Sequence, residues 1–155
     1  EIFPEAKWQR CVVHWYRNVM SATPRAKLKE VVAMLKAIHA QEDRAAALQK
    51  AQEVQKKLLG MKLARAAQVV REGVEETLSY MGFPREHWLK IRTTNPLERI
   101  NREIRRRARV VGASPDGNAA VLLVTARLRY ITGTRWGAKM YMDMKRLHRV
   151  EGDAA

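Results

Sequence analysis

Fifteen residues constrain this chain more than any others: Thr93-Thr94-Asn95-Pro96-Leu97-Glu98-Arg99-Ile100-Asn101-Arg102-Glu103-Ile104-Arg105-Arg106-Arg107. Asn95 is a favoured helix N-cap, and Pro96 follows where a missing N–H costs nothing. Glu98 lies three residues past that cap, in the position that completes a capping box. Leu97, Ile100, Ile104, Ala108 and Val111 recur at three- and four-residue spacing, which predicts a helix with one buried face. From Arg92 to Arg109 there are seven arginines and two acids, a local surplus of five positive charges. An acid placed early in so basic a helix has two readings. It caps the helix and relieves arginine repulsion, or it is a metal-ligating carboxylate flanked by arginines that hold phosphates.

The rest of the composition narrows the partner. The net charge is +14 over 155 residues, which favours a polyanion, nucleic acid first and an anionic membrane surface second. Hydrophobic residues make up 46% of the chain, enough for a packed core and too many for general disorder. Cys11 is the only cysteine, which excludes an intrachain disulfide and points to a reducing compartment. The longest apolar run, residues 119–124, is far too short to span a bilayer. The start, Glu1-Ile2-Phe3-Pro4, carries no signal pattern and no Met, and reads as a cut through a longer protein.

Along the chain the pattern is helical with at most one strand. Residues 8–13 permit a short strand, and 13–21 read as helix. Thr23-Pro24 opens a second helix to about Ala40, with Leu28, Val31, Val32, Leu35 and Ile38 in phase. Asp43 opens a third through Leu59, with Ala46, Ala47, Val54 and Leu58 turned inward, and Gly60 ends it. Residues 61–80 form a fourth, with Leu63, Ala67, Val70, Val74 and Leu78 in phase and Gly73 tolerated within it. A turn through Trp88 leads to the arginine helix. Residues 112–117 are a loop; Asn118 or Ser114 starts the next helix, Gly133 and Gly137 interrupt it, and 138–149 is a final basic helix.

Arginine is used in the 92–109 stretch almost to the exclusion of lysine, and its planar fork suits phosphate. Cys11 and His14 have Cys-x-x-His spacing, but a structural zinc site needs four ligands and usually at least two cysteines. A buried thiol and a hydrogen-bonded imidazole are the expectation. Trp8, Trp15, Tyr16 and Trp88 are expected as core anchors, with base stacking the lesser possibility. The glycines of the 112–117 loop lack the Lys-Ser/Thr ending of a phosphate-binding loop.

These residues resemble a family. Trp8-Gln9-Arg10-Cys11-Val12-Val13-His14-Trp15-Tyr16-Arg17-Asn18 is similar to the Gln-Arg-Cys-x-x-His-x-x-Arg-Asn block of mutator-type transposases of bacterial insertion sequences. Ile91-Arg92-Thr93-Thr94-Asn95-Pro96-Leu97-Glu98-Arg99-Ile100-Asn101 resembles the same family's Arg-Thr-Thr-Asn-x-x-Glu-Arg-x-Asn block. The resemblance implies a mainly α chain: a helical insertion domain plus the terminal helices of an RNase H-like α/β catalytic domain, with most of the sheet missing. In those terms residues 1–19 end the core, with its last strand and the Cys-x-x-His block, and 20–90 are the insertion. Residues 91–111 carry the catalytic glutamate helix, and 112–155 the C-terminal helices.

The resemblance further implies that Glu98 is the third acid of an Asp-Asp-Glu triad, serving as catalyst and metal ligand. Three such carboxylates would hold two Mg²⁺ (or Mn²⁺) ions about 3.5–4 Å apart to cut element ends and join them to target DNA. Arg92, Arg99, Arg102, Arg105, Arg106 and Arg107 are the implied DNA contacts. Cys11, His14, Arg17, Asn18, Thr93, Thr94, Asn95 and Asn101 are signature positions with structural roles. The implied partners are DNA and a second copy in a homodimer, with no membrane, in the bacterial cytoplasm. The family's two catalytic aspartates precede the Gln-Arg-Cys block, and Asp43, Asp116, Asp143 and Asp153 correspond to neither, so this chain alone is expected to be inactive. A stand-alone basic helical nucleic-acid-binding module, and a helical protein with an acidic protein partner, are the competing classes.

Overall fold

The computed structural model describes residues 4, 6–112, 115–140, 142, 143 and 145. Among them are helices and turns and no strand, so the mainly α expectation holds. The helices are α1 (Val12–Ser21), α2 (Leu28–His39), α3 (Arg44–Gly60), α4 (Ala64–Gly73), the single turn α5 (Trp88–Ile91), α6 (Asn95–Val111) and α7 (Gly117–Thr132). They fall into two compact units, one built from the chain up to Thr93 and one from Thr94–Asp143.

The first unit is a packed helical bundle in which α3 lies against α2 and α4, and α1 against α2 and α4. Its core is assembled from stripes of small and branched residues: Trp15 and Val19; Val31, Leu35 and Ile38; Ala47, Ala51, Val54 and Leu58; Ala67 and Val70. The expected inward sets of α2 and α3 are largely confirmed, with Leu28, Val32 and Ala46 only half-buried. Asp43 is a true N-cap, its carboxylate accepting from the Ala46 amide at 2.8 Å.

Several boundaries differ from expectation. No strand forms at 8–13: residues 8–11 are extended chain and Val12 already opens α1, because Val12, Trp15 and Val19 make a helical stripe that is fully used in the core. Thr23 does not cap α2; its hydroxyl donates back to the Val19 carbonyl at 2.8 Å, and a short 3₁₀ turn (Arg25–Lys27) precedes α2. Gly60 does not end α3 by conformation. The left-handed residue of that turn is Lys62, with φ 62°.

The fourth helix stops at Gly73, and 3₁₀ turns at Glu75–Thr77 and Ser79–Gly82 carry Val74 and Leu78 into the core without continuing it. Gly73 is there for space. A Cβ on it would meet the Arg10 guanidinium and the Trp15 indole at 2.9 Å, so α1 approaches α4 as closely as it does only over a hydrogen atom.

In the second unit α6 and α7 run antiparallel, joined by Glu103 to Arg127 (2.7 Å). Gly112 takes φ +82° as α6 ends, a left-handed backbone that suits glycine. Asp116 caps α7 through the Ala119 amide at 2.7 Å, in place of Asn118 or Ser114. The predicted buried face of α6 is not buried: Leu97 and Val111 are exposed, and Ile100, Ile104 and Ala108 are half-covered. One neighbouring helix cannot cover so wide a stripe. The chain leaves helical conformation at Gly133 and makes turns through residue 139, so 138–140 are not helical. Residues 141, 144 and 146–149 of that expected last helix lie outside the described residues, as do 113 and 114 of the preceding loop.

Candidate functional site

The two motif blocks are best taken unit by unit. In the first unit the extended residues before α1 are held by paired hydrogen bonds. Gln9 Nε2 donates to the Thr77 carbonyl at 3.0 Å, and Gln9 Oε1 accepts from the Tyr80 amide at 2.7 Å. The Arg10 amide donates to the Glu76 carbonyl at 2.9 Å, and the Val12 amide to the Arg92 carbonyl at 3.0 Å. Gln9 opens the Gln-Arg-Cys block without a role legible in the sequence, and the fold shows that it fixes this segment. Cys11 is buried, as expected. His14, Arg17 and Asn18 lie exposed on the outer face of α1. Trp8 is 70% exposed and anchors nothing, whereas Trp15 is fully enclosed and Tyr16 and Trp88 are half-buried.

The interior histidines are His39 and His87, and His39 is the one held in a hydrogen-bonded cluster. Its Nε2 lies 3.0 Å from Thr77 Oγ1, and its Nδ1 3.1 Å from the Tyr16 hydroxyl. The Thr77 hydroxyl donates to the Val74 carbonyl at 2.6 Å and the Tyr16 hydroxyl to the Leu35 carbonyl at 3.0 Å, which leaves Thr77 Oγ1 to accept from His39 Nε2–H of a neutral ring. Burial lowers the His39 pKa to about 4, with the Leu35 carbonyl opposing the shift and the Arg92 charge adding to it. Burial likewise raises the Tyr16 and Tyr80 hydroxyls, and Arg92 opposes both shifts. Arg92 is itself half-buried and belongs electrostatically to this cluster. Thr93 is half-buried beside it in sequence.

In the second unit the helix start falls one residue earlier than expected. Thr94 is the N-cap and Asn95 the first helical residue, exposed and making no cap bond. Pro96 still occupies a position whose N–H has no intrahelical acceptor. The Glu98 amide donates to the Thr94 carbonyl at 2.9 Å, and the Thr94 hydroxyl donates to Glu98 Oε1 at 3.1 Å. The carboxylate is steadied by the cap's side chain at the exposed first turn of α6, where the helix field favours negative charge. Asn101 is exposed further along.

The arginines of α6 have different neighbours. The Arg99 guanidinium stacks on the Trp136 ring, 4.1 Å from its centroid. Glu103 accepts from Arg127 at 2.7 Å and from Arg106 at 3.2 Å, and those two hydrogen bonds hold its carboxyl below the usual range. Arg107 lines a groove with Leu123, Ala126, Arg127 and Tyr130 of α7. Arg102, Arg105 and Arg109 are exposed. Trp136 and Arg127 carried no sequence signal; only the return of the chain beside α6 gives them a role.

Among the described residues no group of three or more His, Cys, Asp or Glu side chains could hold a metal ion. Among the same residues no helix is long and apolar enough to cross a membrane.

Comparison with known proteins places the chain. The family described as "Transposase, Mutator family" matches residues 1–134, so the chain belongs to the mutator family of transposases. It is 35% identical over 148 residues to the transposase for insertion sequence element ISRM5 of Rhizobium meliloti, covering 93% of this chain and 36% of that protein. It is 36% identical over 138 residues to the transposase for IS1081 of Mycobacterium tuberculosis (86% and 33% covered). It is 28% identical over 131 residues to the transposase for IS256 in transposon Tn4001 of Staphylococcus aureus (81% and 32% covered). The chain thus spans about a third of the length of these relatives.

Proposed function

We propose that this chain is the C-terminal, glutamate-bearing part of a DNA transposase that cuts the ends of an insertion sequence and joins them to target DNA. The observation that carries the reading is Glu98: a carboxylate on the first turn of α6, steadied by the Thr94 hydroxyl, at the head of an exposed arginine face, in a chain of the mutator family. In this reading the helices belong with an RNase H-like core whose sheet lies outside this chain, residues 20–90 being its helical insertion. DNA is the partner, a homodimer on paired ends is the working form, and the bacterial cytoplasm is its place.

Mg²⁺ or Mn²⁺, as a pair of ions, is the proposed cofactor of the complete site. Such ions activate a water and stabilise attacking and leaving oxygens. The described residues of this chain do not by themselves fit that pair, since they group no three ligands and Glu98 offers one carboxylate. What the chain's own residues do is hold: α6 fixes Glu98, and its arginines hold strands by bidentate contacts to phosphate.

The test is Glu98→Gln in a complete transposase carrying this segment. Cleavage and strand transfer are expected to be lost with DNA binding retained, read by gel assay on labelled element ends. A variant that still cuts reduces Glu98 to a helix cap, and a basic helical nucleic-acid binder is what remains.

A further inference from the structure

Sequence makes the arginines of α6 look equivalent, and the fold separates them. Arg99 is committed to the Trp136 ring, Arg106 to Glu103, and Arg107 faces the groove beside α7. All six are exposed, and among the described residues Arg102, Arg105 and Arg109 enter no ion pair or ring contact. Counted from Glu98 they stand at i+4, i+7 and i+11, the spacing that keeps side chains on one line of a helix.

We infer that Arg102, Arg105 and Arg109 form a track for one DNA strand, contacting successive phosphates and leading it along α6 to the Glu98 carboxylate. This rests on the DNA-handling reading above and goes beyond it by fixing which arginines carry the backbone. It singles out Arg109 together with Arg102 and Arg105, and sets aside Arg99, Arg106 and Arg107.

The dimensions agree. Seven residues separate Arg102 from Arg109, about 10 Å along the helix axis. One strand of duplex DNA carries a phosphate roughly every 3.4 Å of its axis and winds as it advances, so its neighbouring phosphates lie farther apart than that rise, and a strand passing along α6 brings about two to three of them within reach of the three long arginine side chains. A guanidinium already paired to a carboxylate must break that pair to bind phosphate, and an exposed one gives up only water. Glu98, on the same line, is where the track ends.

The experiment is fluorescence anisotropy of the 155-residue chain with a labelled random-sequence duplex, repeated across a salt series. Arg102→Gln, Arg105→Gln and Arg109→Gln are each expected to lower affinity several-fold and to make the plot of log affinity against log salt shallower by about 0.9. The triple variant is expected to lose about three times as much slope. Arg99→Gln, Arg106→Gln and Arg107→Gln are expected to leave the slope unchanged. Arg105→Lys, which keeps the charge, is expected to restore it, with far-UV circular dichroism checking that every variant keeps its helix content. Equal slope losses in the two sets, or losses confined to Arg99, Arg106 and Arg107, overturn the track and leave the DNA reading standing. A parent chain whose binding shows no salt slope overturns the DNA reading itself.

Discussion

His39 shows what one buried side chain does to the energetics of the first unit. A histidine in an unfolded chain titrates near 6.5, whereas this one, enclosed with Tyr16 and Thr77, titrates at about 4. Between those values the unfolded chain takes up a proton that the native chain refuses. The stability gained from burying the neutral ring is therefore complete above about pH 6.5 and is lost as pH falls toward 4. Between pH 7 and pH 5 we expect a loss of about 2 kcal/mol from this residue. Urea unfolding at the two pH values reads it directly. His39→Gln, less stable at neutral pH, is expected to show a much flatter dependence over that interval. Tyr16 and Tyr80 face the same ring, and burial raises both hydroxyls, so they stay neutral across that range and do not blur the result.

At the scale of the element, the turn between α3 and α4 offers a test of backbone strain. Lys62 holds φ 62° with its side chain exposed. A left-handed residue with a Cβ costs roughly 1–2 kcal/mol, and glycine brings an entropic cost of about 0.5–1 kcal/mol. Lys62→Gly is therefore expected to raise stability by about 0.5–1 kcal/mol, seen as a higher urea midpoint. Nothing in the sequence pointed there. Gly60 drew the eye, yet the conformation a turn needs is set by how the next helix must be aimed, and Lys62 absorbs it.

The same limit recurs elsewhere. Periodicity found the faces of α2, α3 and α4 because other helices of this chain cover them. It found the face of α6 equally well, but a stripe says which side turns inward and not whether this chain supplies the cover. Glu98 was legible as a lone acid at a helix start. The division among the arginines was not, because it depends on where Trp136 and α7 come to lie. The end of α4 at Gly73 was hidden for a similar reason: the glycine answers to Trp15, a residue distant in sequence.

For the molecule as a whole, charge and chemistry part company. A net charge of +14 gives any polyanion a reason to stay, while the acids needed to break a phosphodiester are not grouped among the described residues. The 155-residue chain, mixed with supercoiled plasmid and Mg²⁺, is expected to retard the plasmid in a gel at low salt, to release it as salt rises, and to leave it unnicked. Nicking that survives Glu98→Gln and is abolished by EDTA would show a metal site elsewhere in this chain. The exposed Val110, Val121, Leu122 and Tyr130 of the second unit give the chain apolar surface besides its charge. Detergent-free handling at high concentration is where that surface will be felt.

The bond from the Val12 amide to the Arg92 carbonyl has a practical meaning for anyone dissecting the gene. The opening turn of the earliest helix finds its outside acceptor some eighty positions later, so a ribosome must deliver nearly all of the bundle before that turn is secured. A shorter expression clone that halts before position 92 would leave the loose end unlatched. Stopping at 93 keeps it fastened.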